Sequence, residues 1–147
     1  MAKNISGIQQ VGVGIPDVKQ AWKWYRKNFG LDIPIFQESA EAALMTKYTG
    51  KEVHSRSAVL ALNLQGGAGL EIWQFTSRKT EPVKYDIQLG DYGIFTTAVK
   101  CRNVNEAFAF YKAEGTEIIS EIKKDPAGNE HFFIKDPYGM IFQISKG

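Results

Sequence analysis

The chain carries one sequence pattern twice, and this repeat limits the folds available to it more than any other feature. Residues Ile8–Asn28 align with Ile94–Glu114 at an offset of 86 positions, and apolar or aromatic residues match where a helix would pack. A second match aligns Gly67–Ile72 with Gly139–Ile144. Any two amphipathic helices share part of such a pattern, but here strand-like segments flank both helices. We therefore interpret the sequence as two related units.

Each copy begins with a strand and continues into a helix. Residues 9–15 alternate between apolar and polar or small residues, which is the period of a strand. Asp17 then supplies a helix N-cap, and Gly30 is a natural stop for the helix. In the second copy, Asn103 and Gly115 hold the equivalent positions. Both copies therefore predict a strand followed by an amphipathic helix.

Three strands are predicted after each helix, so each module reads βαβββ and the fold class is α+β. The modules span about 8–75 and 93–145, and the polar segment at about 76–92 is the predicted linker. Residues 38–50 are rich in Ala and predict an additional short helix. Asp136–Gly139 predicts a tight turn before the last strand. The strands are predicted near Ile33–Gln37, Ser57–Leu64, Leu70–Phe75, Glu117–Ile122, Glu130–Lys135 and Met140–Ser145.

Composition excludes several classes of function. The 147 residues carry a net charge of +2, with 18 basic residues against 16 acidic ones, so a clustered nucleic-acid-binding face is not expected. No apolar stretch approaches the roughly 20 residues of a membrane span. Residues 1–10 show no apolar signal core, and a single cysteine, Cys101, fits a reducing compartment. We expect a cytoplasmic protein with no membrane or nucleic-acid partner.

Two motifs resemble a known superfamily. The opening Ile-x-x-Val-Gly-Val-x-Ile-Pro-Asp-Val runs from Ile8 to Val18, and the ending Asp-Pro-Tyr-Gly-x-x-x-Gln-Ile runs from Asp136 to Ile144. Together with the repeat they resemble the vicinal oxygen chelate superfamily, which includes glyoxalase I, extradiol dioxygenases and bleomycin-resistance proteins. The resemblance implies one glyoxalase-like domain over residues 1–147, with a curved mixed sheet around a cavity and helices on its outer face. It also implies a homodimer, with the cavity formed within one chain or across the dimer.

The resemblance also points to four positions where relatives hold a metal, on the first and last strands of each module. Here these positions are Gln10, Glu71, Thr96 and Gln143. Gln10 and Glu71 resemble the first-module ligands of some glyoxalases, whereas Thr96 and Gln143 are neutral and weak ligands. The family's general base is missing at Gln143. We therefore expect no cofactor and no tightly bound transition metal, with only weak divalent metal binding left open, and lactoylglutathione lyase activity is disfavoured.

The two histidines do not supply the missing ligands. Non-haem iron sites need two histidines and a carboxylate on one face, and the chain has only His54 and His131. Counting back through a four-residue turn pairs Phe132 with Gln143, which predicts Phe132 in the cavity and His131 on the opposite face. His54 lies in a Lys- and Ser-rich loop and is expected to be solvated. Extradiol dioxygenase activity is therefore disfavoured.

Further residues are candidates for the cavity. Trp73 and Phe75 share a strand face with Glu71 and serve either as cavity walls or as core. Small residues at Gly12–Gly14 leave room for a ligand rather than forming a dinucleotide loop. Cys101 is expected to be a small buried hydrophobe and not a nucleophile. Five basic residues either form a rim for an anionic substrate or a solvated face: Lys47, Lys51, Arg56, Arg78 and Lys79.

Two functions from different classes fit these observations. In the first, the protein is a glyoxalase-like lyase or isomerase of unknown substrate, and Glu71 is the catalytic base for proton transfer next to a carbonyl. In the second, it is a metal-free protein that binds a small organic molecule for sequestration or resistance, between Trp73, Phe75 and Phe132. Both readings predict one cavity lined by Gln10, Glu71, Trp73, Phe75, Thr96, Phe132 and Gln143.

Overall fold

The computed structural model describes residue 4 and residues 7–147. Residues 1–3, 5 and 6, which form part of the segment searched for a signal core, lie outside the described residues. The chain divides into two compact units between Glu81 and Pro82, a point that falls within the predicted linker. The predicted α+β class and both βαβββ modules are confirmed, with one mixed sheet in each unit. No helix of the described residues has the length and apolar character needed to cross a membrane.

The first unit contains one helix and a four-stranded sheet in the order β1-β4-β3-β2. Strand β1 pairs in parallel with β4, and the other neighbours are antiparallel. The predicted short helix in 38–50 is confirmed only as a 3₁₀ turn at Ala43–Met45, because β2 continues through Glu41. The elements are β1 (Gln10–Gly14), α1 (Val18–Phe29), β2 (Ile33–Glu41), β3 (Ser55–Leu62) and β4 (Gly69–Phe75).

Local chemistry fixes both ends of α1. The Asp17 side chain accepts a hydrogen bond from the Gln20 backbone N–H at 3.0 Å, which satisfies one of the free donors at the helix start. Gly30 ends the helix with a φ of 63°, a left-handed conformation that glycine adopts without a steric penalty. The buried stripe includes Ala21 and Tyr25, which pack against the sheet face that carries Ile72. The opposite face of this sheet is therefore left free of the helix.

The second unit repeats this arrangement with one interruption. Its strand order is β5-β9-β8-β6, with β5 parallel to β9, and the short β7 also pairs with β8. The predicted strand 117–122 is broken because the Ser120 hydroxyl, and not a backbone carbonyl, accepts the Phe133 N–H at 2.9 Å. The elements are β5 (Thr97–Cys101), α2 (Val104–Ala113), β6 (Glu117–Ile118), β7 (Lys123–Lys124), β8 (Glu130–Lys135) and β9 (Ile141–Lys146).

Five residues, 136–140, lie between the paired residues Lys135 and Ile141 at the turn between β8 and β9, where four were predicted, so the predicted register is wrong by one residue. The Asp136 carboxylate accepts hydrogen bonds from the backbone N–H groups of Tyr138 and Met140, both at 2.8 Å. The Asp136 N–H in turn donates to the Met140 carbonyl at 2.9 Å, so that Lys135 pairs with Ile141 and not with Met140. Phe133 therefore lies opposite Gln143. A one-residue shift moves every side chain of β8 to the other face.

Candidate functional site

The first unit places several predicted site residues on the sheet face that α1 does not cover. Strand β1 runs beside β4 so that Gly12 pairs with Glu71 and Gly14 with Trp73. Ile72, between Glu71 and Trp73, is fully buried on the opposite side. We call this surface the Glu71 face. It carries Gln10, Gly12 and Gly14 from β1, Glu71, Trp73 and Phe75 from β4, and Arg56 from the beginning of β3.

Gln10 and Glu71 contact each other directly. The Gln10 side-chain amide donates a hydrogen bond to a Glu71 carboxylate oxygen at 2.5 Å. The parallel pairing of β1 with β4 produces this contact, because Gln10 lies beside Gly69, which has no side chain to separate it from Glu71 two residues further along. The carboxylate is therefore held by a neutral donor, and it remains partly exposed on the face.

Two glycines leave open space next to Glu71. A Cβ atom built on Gly12 or Gly14 would meet no heavy atom within 4 Å, and both residues are exposed. Trp73 and Phe75 are partly exposed on the neighbouring strand, with their ring centroids 6.0 Å apart and the rings nearly perpendicular. The face thus combines empty volume over β1 with two partly exposed aromatic rings, which is the usual chemistry of a small-molecule site.

Two arginines lie over these rings. The Arg56 guanidinium carbon is 4.7 Å from the centroid of Trp73, and that of Arg78 is 4.6 Å from Phe75. Both distances are within the range of cation–π attraction. Sequence reasoning included both arginines in a basic rim but missed the stacking. The stacking follows from the antiparallel pairing of Arg56 with Phe75, and predicting that pairing requires knowledge of the register between β3 and β4.

His54 is not the solvated loop residue that the sequence predicts. Its side chain is only 15% exposed, and its ring lies 5.5 Å from Phe75 in an edge-on contact. Its Nδ1 atom is 2.9 Å from the Ser77 hydroxyl, and its Nε2 atom is 3.6 Å from Glu52. The imidazole therefore supports the end of β4 next to Arg78.

The two predicted site positions of the second unit are Thr96, just before its first strand, and Gln143, within its last strand. Thr96 precedes β5, and its hydroxyl donates to the Ile141 carbonyl at 3.0 Å. Gln143 lies in β9 between Ala98 and Phe133, as Glu71 lies beside Gly12 in the first unit. Thr96 is thus engaged with the backbone, whereas Gln10 contacts the carboxylate of its own unit.

The shifted register corrects the predictions for Phe132 and His131. Phe132 is fully buried and packs against Phe108, with centroids 5.1 Å apart, so it belongs to the core beneath α2 and not to the face of Gln143. His131 shares the face of Gln143 and Phe133. Its Nδ1 atom is buried and has no hydrogen-bond partner among the described residues. Asp136, the first residue of this turn, is the sequence signal for the longer loop, because an Asp side chain can accept hydrogen bonds from the backbone N–H groups that follow it.

Cys101 ends β5 and is only partly buried, where the sequence predicts a buried residue. Burial raises the pKa of the Cys101 thiol above its ordinary value, and a backbone hydrogen bond from Asn103 opposes this only in part. Burial also raises the pKa of the nearby Tyr111 hydroxyl, and the Cys101 charge adds to that effect. Both groups are therefore neutral at physiological pH.

The donor set does not fit a catalytic transition metal. Within residue 4 and residues 7–147, no three or more His, Cys, Asp or Glu side chains group closely enough to hold a metal ion. Gln10 presents its amide nitrogen to Glu71, and a metal would need the oxygen. Thr96 is hydrogen-bonded to a backbone carbonyl. One carboxylate with neutral amides and a hydroxyl compensates poorly for the hydration shell that the ion would lose.

Comparison with known proteins defines the class. Residues 7–144 match the family model described as the Glyoxalase/Bleomycin resistance protein/Dioxygenase superfamily. The chain belongs to this superfamily. A search of curated proteins found no significant match.

Several solved structures share the fold. A glyoxalase family protein from Bacillus cereus has a TM-score of 0.79 at 14% identity, over 99% of this chain and 97% of its own. One from Enterococcus faecalis has a TM-score of 0.66 at 18% identity, with coverages of 95% and 97%. TioX from Micromonospora sp. ML1 has a TM-score of 0.59 at 16% identity, with coverages of 96% and 98%. At these identities the likeness shows the fold alone.

Proposed function

We propose that this protein binds a small, partly apolar organic molecule on the Glu71 face, and that it does so without a tightly bound transition metal. The observation that most directly supports this proposal is the open volume above Gly12 and Gly14 beside the partly exposed ring of Trp73. A planar ligand in that volume buries apolar area against the ring, and Glu71 accepts a hydrogen bond from its polar end. The donor set at the four family positions supports the metal-free part of the proposal.

A steric block of the open volume tests the binding proposal. Gly12→Phe adds a ring to an exposed position where nothing lies within 4 Å, so the fold is retained while the ligand volume is filled. An aromatic fragment collection is screened by ligand-observed NMR against wild type and Gly12→Phe. Ala109→Phe, which adds the same ring to the exposed surface of α2, is the matched control. We expect fragments that lose binding in Gly12→Phe and keep it in Ala109→Phe; hits insensitive to Gly12→Phe would contradict the proposal.

Metal content is a separate measurement. Elemental analysis of protein purified without chelator is expected to find no stoichiometric nickel, zinc, manganese or iron, because Glu71 is the only charged group among Gln10, Glu71, Thr96 and Gln143. One equivalent of any of these metals per chain would refute the metal-free part of the proposal. The binding of organic fragments would remain a separate question, answered by the Gly12→Phe comparison.

A second candidate is catalytic, and the Gln10–Glu71 contact favours it. A carboxylate held in one orientation by an amide donor, next to an open volume, is suited to remove a proton from a carbon next to a carbonyl. Glu71 would take the proton and return it to the same or a neighbouring carbon, which is the chemistry of an isomerase; loss of a leaving group from the neighbouring carbon of the carbanion, in place of that return, would be the chemistry of a lyase. The protein's own contribution is the orientation of this base by Gln10.

Exchange of the ligand's proton with solvent reports this chemistry without knowledge of the product. A carbonyl-containing fragment that binds wild type is incubated in deuterium oxide, and its α-proton signal is followed by NMR. Glu71→Gln keeps the size of the side chain but cannot accept the proton, so exchange should fall to the uncatalysed rate. Gln10→Ala should slow exchange by a smaller factor. Equal exchange in wild type and Glu71→Gln would leave binding alone as the function.

The homodimer implied by the family is also a proposal. Light scattering of the purified protein measures the mass in solution directly, against a chain mass of 16.5 kDa. A mass of one chain at micromolar concentration would refute the dimer.

A further inference from the structure

Two guanidinium groups lie over the aromatic rings of the Glu71 face. Arg56 is stacked on Trp73, and its side chain is only 15% exposed. Its Nη2 atom donates to the carboxylate of Glu38, but its Nη1 atom is buried and meets no acceptor among the described residues. A buried guanidinium nitrogen without an acceptor is costly, so a movement of the Arg56 side chain that brought this nitrogen to an anionic oxygen of a ligand would relieve that cost.

Arg78 adds a second positive charge beside the first. Its guanidinium lies on Phe75, the ring next to Trp73, and its residue is exposed. Its hydrogen bond to the Lys79 carbonyl is 3.5 Å long, at the weak limit for such a contact. No carboxylate of the described part of the chain pairs with Arg78. Arg56 therefore has one carboxylate partner, Glu38, and Arg78 has none among the described residues, so this part of the face keeps an excess of positive charge.

The Glu71 face is thus electrically polarised along β4. Glu71 and Phe75 are four residues apart in one strand, which corresponds to roughly 13 Å. The Glu71 carboxylate lies at one end of this length and the Arg78 guanidinium at the other, with the Arg56 guanidinium over Trp73 in between. A ligand with an anionic end is repelled at Glu71 and attracted at Arg56 and Arg78, so the charges fix its direction on the face.

We propose that the ligand of the Glu71 face is a planar carboxylate, with its carboxylate bound by Arg56 and Arg78 and its apolar body over Gly12 and Gly14. This inference rests on the proposed binding function and names its substrate class. A carboxylate is favoured because its two oxygens match the planar donor fork of a guanidinium. The stacking on Trp73 and Phe75 holds each fork in place, so little side-chain freedom is lost on binding.

The competing explanation is that the arginines only stabilise the sheet by covering the rings. The chain contains a matched example, because Arg26 lies 5.3 Å from the ring of Trp22 and pairs with Asp32 at 3.2 Å on the helical side of the unit. Arg26 therefore has the same chemistry as Arg56, a guanidinium on an indole with one carboxylate partner, and it lies outside the Glu71 face. If Arg56 had only a structural role, its substitution, like that of Arg26, would not change the binding of an anionic probe relative to a neutral one.

A pair of probes of equal shape and different charge separates these explanations. Dissociation constants of 2-naphthoate and its neutral analogue 2-naphthamide are measured by calorimetry for wild type and for Arg56→Gln, Arg78→Gln and Arg26→Gln. We expect naphthoate to bind wild type about tenfold more tightly than naphthamide, the range of a charge-assisted hydrogen bond. Arg56→Gln and Arg78→Gln should remove this preference and leave naphthamide binding unchanged, and Arg26→Gln should change neither constant. Arg78 is exposed, so its variant remains informative if Arg56→Gln does not fold.

The outcomes distinguish this inference from the function on which it rests. Equal binding of the two probes, with both abolished by Gly12→Phe, would refute the carboxylate inference and retain the proposed binding function. A naphthoate preference that survives Arg78→Gln and Arg56→Gln would likewise refute the role of the arginines. If neither probe binds the wild-type face and no fragment is sensitive to Gly12→Phe, both proposals are wrong.

Discussion

Phe132 and Phe133 are neighbours in β8 whose replacement by alanine should have very different effects on stability. Phe132 is fully buried, with Phe108 at 5.1 Å and Tyr111 at 6.1 Å between ring centroids. Phe132→Ala leaves a cavity of ring size in this cluster and should lower the free energy of unfolding by about 3–5 kcal/mol. Phe133 is partly exposed opposite Gln143, so Phe133→Ala should cost about 1 kcal/mol.

The choice of assay follows from where the tryptophans are. All three, Trp22, Trp24 and Trp73, lie in the first unit, so tryptophan fluorescence does not report on the second. Hydrogen exchange followed by mass spectrometry, on peptides that cover β8 and β9, measures the opening free energy where the change is made. Thermal unfolding by circular dichroism is the second readout. For a unit of this size, the loss expected for Phe132→Ala corresponds to a fall in melting temperature of roughly 12 °C or more.

The four-residue turn makes the opposite prediction. In that register Phe132 lies opposite Gln143 on the uncovered face, and Phe133 would occupy the core beneath α2. Greater destabilisation by Phe133→Ala than by Phe132→Ala would therefore refute the register, and with it the position of His131 on the face of Gln143. Equal losses would show that the two faces of β8 do not differ in burial, which would also contradict the structure.

Three smaller predictions follow from local geometry. Gly69→Ala should lower the free energy of unfolding, measured by urea titration, by about 1–3 kcal/mol, because its Cβ would lie 2.5 Å from a side-chain carbon of β3. Gly12→Ala should leave the free energy of unfolding unchanged in the same measurement. The pKa of Asp125 is lowered chiefly by the hydrogen bond from the Asn129 side chain, so Asn129→Ala should raise it towards its ordinary value in an NMR titration. That contribution to stability is present above the unfolded-state pKa and is lost as the pH falls through the folded-state pKa. Cys101 should react with a disulfide reagent more slowly than free cysteine at pH 8, and at the normal rate in denaturant.

Features that depend on nearby residues were predictable from the sequence. The cap at Asp17 and the stop at Gly30 involve contacts within a few positions, and both are present as expected. The common face of Glu71, Trp73 and Phe75 follows from the two-residue period of a single strand. The family, the α+β class and the two βαβββ modules follow from the repeat.

Features that depend on the register between strands were not predictable from the sequence. Phe132 lies on the face opposite to the predicted one, because the buried carboxylate of Asp136 accepts the Met140 N–H and lengthens the turn. The stacking of Arg56 on Trp73 requires β3 and β4 to pair in one particular alignment, and no local pattern encodes that alignment. The environment of His54 depends on Ser77, 23 residues away. Each of these contacts is set by tertiary structure and not by local propensity.

The two open glycines of β1 give this scaffold a particular evolutionary freedom. Because neither position has a neighbour that a side chain would displace, and neither needs a left-handed backbone, almost any residue can replace Gly12 or Gly14 with little effect on folding. The same changes would reshape the volume beside Trp73 and therefore the set of molecules that fit there. Selection could thus alter specificity through these two codons while the core beneath α1 stays as it is. A superfamily with many chemistries on one fold would be expected to diversify at positions of this kind.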